Sequence, residues 1–76
     1  MKTIGQILKE IRPEFDFSSS QNFIEDGMLD SFDVITLVSD LDKTYAISIQ
    51  GVDILPENFC SLSAIGGLLE KYGVKP

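Results

Sequence analysis

An all-α fold is predicted for this 76-residue chain by three stretches in which apolar residues recur at helical spacing. One further stretch alternates like a strand, but it has no partner and cannot make a sheet alone. Each helical stretch carries one apolar stripe, and nothing else in the chain can cover it, so the three must cover one another as a small bundle. The expected architecture is a single domain over residues 1–76, with three main helices, one short helix, and a long loop between the first and second helices.

The first helix is predicted from about Thr3 to Arg12, where Ile4, Ile7, Leu8 and Ile11 share a face. Thr3 is suited to cap it, and Pro13 disfavours helical backbone at Arg12, so the helix should stop there. The connection from Pro13 to Asp30 carries Phe15, Phe17, Phe23, Ile24, Met28 and Leu29. A flexible tether would not hold so many large apolar groups, and a long structureless loop is uncommon inside a compact domain. The segment is therefore expected to pack across the bundle, with a short helical turn around Ser19 to Phe23.

The second helix, about Ser31 to Thr44, rests on Val34, Leu37, Val38, Leu41 and Tyr45. Asp30 is placed to cap it, Asp33 adds a carboxylate at the positive end of its dipole, and Lys43 a cation at the other. Ala46 to Gln50 reads as an extended connector burying Ile47 and Ile49. Pro56, Glu57 and Asn58 suit a single short helical or 3₁₀ turn between Gly51 and Phe59. Ser61 then caps a last helix whose Leu62, Ile65, Leu68, Leu69 and Tyr72 share a face, closed by Gly73.

Composition removes several functions. A chain this short buries only roughly 60 % of its unfolded surface, which leaves little room for a deep pocket beside a core. Six basic residues against twelve acidic ones give a net charge of −6 and disfavour nucleic-acid binding. There is no histidine, which excludes Ser-His and Cys-His catalysis. The lone Cys60 cannot form an internal disulfide or a zinc site and reads as a small buried hydrophobe. With no signal-like run at the start and no span of 18 apolar residues, the cytoplasm is the simplest compartment, with no membrane span.

The negative charge is concentrated. Between Glu25 and Glu57 eight acids face Lys43 alone, a net −7 for that segment. Such a surface either keeps a small protein soluble or docks basic partners, where charge complementarity raises association rates. Asp26, Asp30 and Asp33 do not match the calcium-loop spacing, and no bidentate glutamate follows, so no metal site is predicted.

One short string stands out, Gly27-Met28-Leu29-Asp30-Ser31-Phe32. Ser31 follows the capping aspartate at the first position of the second helix, where its hydroxyl is exposed. A phosphate on that oxygen would lie beside the unpaired N–H groups and positive dipole end of the helix. An ordinary helix-starting serine would occupy the same position.

That string, the acidic helix from Asp33 to Leu41, the chain length and the order of the elements resemble the acyl carrier protein family, which includes peptidyl and D-alanyl carrier proteins. The resemblance covers nearly the whole chain. The family's pattern is Asp-Ser-Leu, with the serine bearing 4′-phosphopantetheine from coenzyme A; here Phe32 stands for the leucine. By that match Ser31 is the attachment site and Asp30 its preceding acid. The resemblance implies a protein that carries a thioester-bound acyl or aminoacyl group and catalyses nothing itself. It implies docking contacts at Asp30, Asp33, Asp40 and Glu57, and a groove for the arm or acyl chain at Leu37, Val38 and Ile54, residues that also suit plain core. The expected partners are a phosphopantetheinyl transferase, an acyl- or aminoacyl-activating ligase and downstream acyl-transfer enzymes; a monomer is expected. The Gly-Met-Leu-Asp-Ser phrase is more similar to stand-alone D-alanyl or aminoacyl carriers than to fatty-acid carriers. An unmodified acidic docking module with the same fold is the other reading.

Overall fold

The computed structural model describes residues 2–74. Four helices are present, α1 (Ile4–Ile11), α2 (Ser31–Tyr45), α3 (Pro56–Phe59) and α4 (Leu62–Lys71), with 3₁₀ turns at Phe17–Ser19 and Gly51–Asp53 and no strand among the described residues. The bundle is all-α, as the periodicities predict. No helix among the described residues is long and apolar enough to cross a membrane.

The helix boundaries follow from their caps. The Thr3 hydroxyl accepts the Gln6 N–H while the Gln6 side chain accepts the Thr3 N–H, so two otherwise orphaned donors are satisfied at the start of α1. Ser61 accepts the Ala64 N–H at the start of α4. At its end Gly73 sits at φ 82°; its N–H donates to Glu70 O and the Val74 N–H to Leu69 O, the paired closure that a left-handed residue makes possible.

Helix α2 ends the same way on a non-glycine residue. Ala46 lies at φ 55°, ψ 47°, and the Ala46 and Ile47 N–H groups both reach Asp42 O. A Cβ in this region costs about 1 kcal/mol relative to glycine. Ala46→Gly is therefore expected to raise stability by about 0.5–1 kcal/mol in urea unfolding, since Ala46 is exposed and loses no packing. A midpoint moved downward would contradict it.

One continuous core joins Ile4, Ile7 and Leu8 of α1, Val34, Leu37, Val38 and Leu41 of α2, Phe59 of α3, and Ile65, Leu68 and Leu69 of α4. Helix α1 packs mainly on α2 and also on α4, while α3 bridges α4 and α2. The long connection contributes Phe17, Phe23, Met28 and Leu29 to the same core, with Phe17 edge-on to Phe23 at 5.0 Å between ring centres. It is folded structure. The Phe23 N–H donates to Cys60 O at 2.6 Å, and Phe23 O accepts from both Met28 and Leu29.

Several local expectations shift. The short turn expected at Ser19 to Phe23 lies earlier, at Phe17–Ser19, because the Asp16 carboxylate takes the Ser18 N–H and caps it there. Two turns replace the single one expected after Gly51: the 3₁₀ turn, and then α3 with Pro56 at its start. Leu62, expected on the buried face of the last helix, is exposed, and Ile47 is only half-buried while Ile49 is buried. Helix α2 runs one residue further than expected, to Tyr45.

Candidate functional site

The approach to Ser31 is built from the core outward. Gly27 turns the chain at φ 72°, a backbone state that glycine adopts without strain. Met28 and Leu29 then bury their side chains, which fixes the depth at which the chain emerges. Asp30 follows in extended conformation and caps α2: its Oδ1 accepts the Asp33 N–H at 2.8 Å, and Asp33 Oδ2 accepts the Asp30 N–H at 3.2 Å. The reciprocal pair satisfies two donors at the helix start with an aspartate in the place usually held by glutamate.

Ser31 is the first residue of the helix and is exposed. Its hydroxyl has no hydrogen-bond partner among the described residues, whereas the Ser18, Ser19 and Ser20 hydroxyls of the long connection are all engaged. Phe32 and Ile35, next to it on α2, are 76 % and 65 % exposed. These two stand off the Val34–Leu37–Leu41 stripe, and that displacement is the signal in the sequence by which they could have been found.

Arg12 reaches the same place from the end of α1. Its Nε and a terminal nitrogen each lie 2.9 Å from Asp33 Oδ2, the terminal nitrogen lies 3.7 Å from Asp30 Oδ2, and the other terminal nitrogen is 3.4 Å from Glu14. The hydrogen bond to Asp33 holds the guanidinium above its ordinary pKa. The Asp33 N–H, and then the Arg12 charge, hold the Asp30 carboxyl below the usual carboxylate range. Sequence reading did not single out Arg12, because a last-turn arginine ordinarily only complements the helix dipole.

The expected docking residues do not form one set. The Asp33 side chain is 11 % exposed and is occupied by the capping box and by Arg12, which leaves it less open than Asp40 or Glu57. Glu57 is exposed at the start of α3, and Asp40 is half-buried on α2. Asp53 is also turned inward. Lys71 donates to its Oδ1 at 2.7 Å and Tyr72 to its Oδ2 at 2.5 Å, and these two bonds hold its carboxyl below the usual range. The Gln50 N–H donates in turn to the Tyr72 oxygen, so the clasp ties the Gly51 turn to the end of α4. The acidic surface is narrower than the charge count suggests.

The groove residues also divide. Leu37 is fully buried and Val38 nearly so, both within the core, and Ile54 is half-buried against it. Leu37 and Val38 thus line no open groove in this conformation. Cys60 is half-buried with its thiol toward Glu57 O, rather than deep in the core.

No family model matches the chain. Likewise, no curated protein and no solved structure is significantly similar to it.

Proposed function

We propose that this chain is a carrier module modified on Ser31 by 4′-phosphopantetheine from coenzyme A, which presents an acyl or aminoacyl group to partner enzymes. The observation that supports it most is the exposed, unengaged Ser31 hydroxyl at the first position of a 15-residue helix whose cap is complete without it. The residues present fit the arm: nothing buried has to move for Ser31 Oγ to be esterified, and the phosphodiester would meet the positive end of α2. The arm, when attached, supplies a terminal thiol that holds the cargo as a thioester and keeps it at high local concentration near several enzymes.

In the modification step Ser31 Oγ attacks the phosphorus that bears the pantetheine oxygen. The phosphoanhydride bond breaks, adenosine 3′,5′-bisphosphate leaves with the electron pair, and the serine proton passes to a base of the transferase. Asp30 keeps the helix start capped throughout. Phe32 and Ile35 offer an apolar contact beside the serine, with Asp40 and Glu57 as acidic contacts for basic partner surfaces. The transferase, an activating ligase and acyl-transfer enzymes are the partners on this reading, and the chain itself catalyses no step. D-alanyl or aminoacyl cargo is the subtype that the Gly-Met-Leu-Asp-Ser phrase favours.

The exposed Phe32–Ile35 pair equally serves the second reading, a docking module that is never modified. Intact mass after incubation with coenzyme A, magnesium and a broad-specificity phosphopantetheinyl transferase separates the two. The wild type is expected to gain one phosphopantetheine and Ser31→Ala none. A folded wild type that gains nothing with several transferases would overturn the carrier reading in favour of the docking module.

A further inference from the structure

We propose that Arg12 is a positioning residue for the modification of Ser31, holding the first turn of α2 so that the serine hydroxyl is presented in one fixed place. The inference rests on the carrier reading. Its basis is the convergence on a single atom, Asp33 Oδ2, which accepts from Arg12 Nε and the Asp30 N–H and pairs with a second Arg12 nitrogen, all within 3.2 Å. Through that oxygen the end of α1 is fastened to the turn that carries Ser31, at Asp30 just before it and at Asp33 two positions after.

The long connection alone does not fix this turn. Leu29 is seated in the core, but Asp30 and Ser31 are both exposed, and the Asp30 carboxylate is 63 % exposed. The reciprocal pair with Asp33 keeps the Asp30 backbone in its extended capping conformation, and Arg12 holds the Asp33 side chain turned back to complete that pair. Without the guanidinium, Asp30 and Asp33 would also face each other and Glu14 with no cation among them. Like charges so close favour an opened turn. Arginine suits the role because its planar fork directs two N–H groups at one carboxylate, which a lysine ammonium does not reproduce.

Positioning makes a specific kinetic claim. Docking through Phe32, Ile35, Asp40 and Glu57 leaves Arg12 aside, so affinity for the transferase should be nearly unchanged when Arg12 is altered. A displaced nucleophile, by contrast, lowers the rate of the chemical step, and a shift of about 1 Å can cost on the order of 10²-fold.

The test measures transferase kinetics by intact mass, with the full chain as varied substrate, for wild type, Arg12→Gln and Arg12→Lys, beside thermal melts of each. Arg12→Gln is expected to lower kcat at least tenfold in folded protein with KM within about twofold of wild type, and Arg12→Lys to fall between. Wild-type kcat in folded Arg12→Gln overturns the proposal, and so does a raised KM at unchanged kcat, which would make Arg12 a docking contact. If Arg12→Gln does not fold, Arg12→Lys decides: wild-type kcat there overturns the proposal, and a reduced kcat at unchanged KM supports it. A wild type that gains no mass removes the carrier reading itself, an outcome distinct from any difference among the variants.

Discussion

Phe23→Ala is expected to bring the protein close to unfolding. Phe23 is fully buried, edge-on to Phe17, and its backbone bonds Cys60 on one side and Met28 and Leu29 on the other. Truncating a buried phenylalanine costs about 3–5 kcal/mol. A chain of this length has about 4–11 kcal/mol in all. The midpoint should fall by at least about 12 °C, since 1 kcal/mol moves a domain of this size by about 4–8 °C. Phe23→Leu, which keeps most of the volume, should cost less. A melting curve for Phe23→Ala that overlies the wild type would mean that the long connection is not seated in the core, and the fixed approach to Ser31 would fail with it.

Asp33→Lys and Asp40→Lys should differ sharply although both reverse an acid on α2. Asp33 is almost closed to solvent, and a lysine there removes the acceptor of the Asp30 N–H and sets a second cation against Arg12. Loss of that acceptor alone costs about 1–3 kcal/mol. Asp40 is half-buried and has no hydrogen-bond partner among the described residues, so its reversal should change stability by no more than about 0.5 kcal/mol. On the carrier reading it should slow modification at low salt and less so at high salt. Denaturant unfolding reads the first contrast and rate against ionic strength the second; equal melting of the two variants would contradict the assignment of Asp33 to the cap.

The sequence-based expectation that both acids dock partners shows where one-dimensional reading stops. Helical spacing identified the buried stripe of α2, because periodicity is a local property, and Thr3, Asp30 and Ser61 declared themselves as caps for the same reason. The pairing of Asp33 with Arg12 spans 21 positions and that of Asp53 with Lys71 spans 18, and no local pattern encodes them. Charge counting assigned those carboxylates to the surface when both are turned inward. The turn sits at Phe17–Ser19 because Asp16, ahead of the stretch expected to turn, caps it. Its place after a capping aspartate suits Ser31 first of all to be an ordinary helix-starting serine; the resemblance makes it the candidate, and its unengaged hydroxyl is visible only in the three-dimensional neighbourhood.

The bond between the Phe23 N–H and Cys60 O has a kinetic side. It joins two points 37 residues apart and encloses the whole of α2. The entropy of closing a loop of that length grows as (3/2)RT ln n, about 3 kcal/mol plus a constant. Helical turns need no such closure, since each forms from neighbours within about a microsecond. Helices this short are marginal alone, so the closure has to be offset by the core contacts it brings together rather than by winding of any one helix. The approach to Ser31, from Gly27 to Asp30, lies inside that closed loop, so a serine exposed at the surface is held in place by a contact made far away in the sequence.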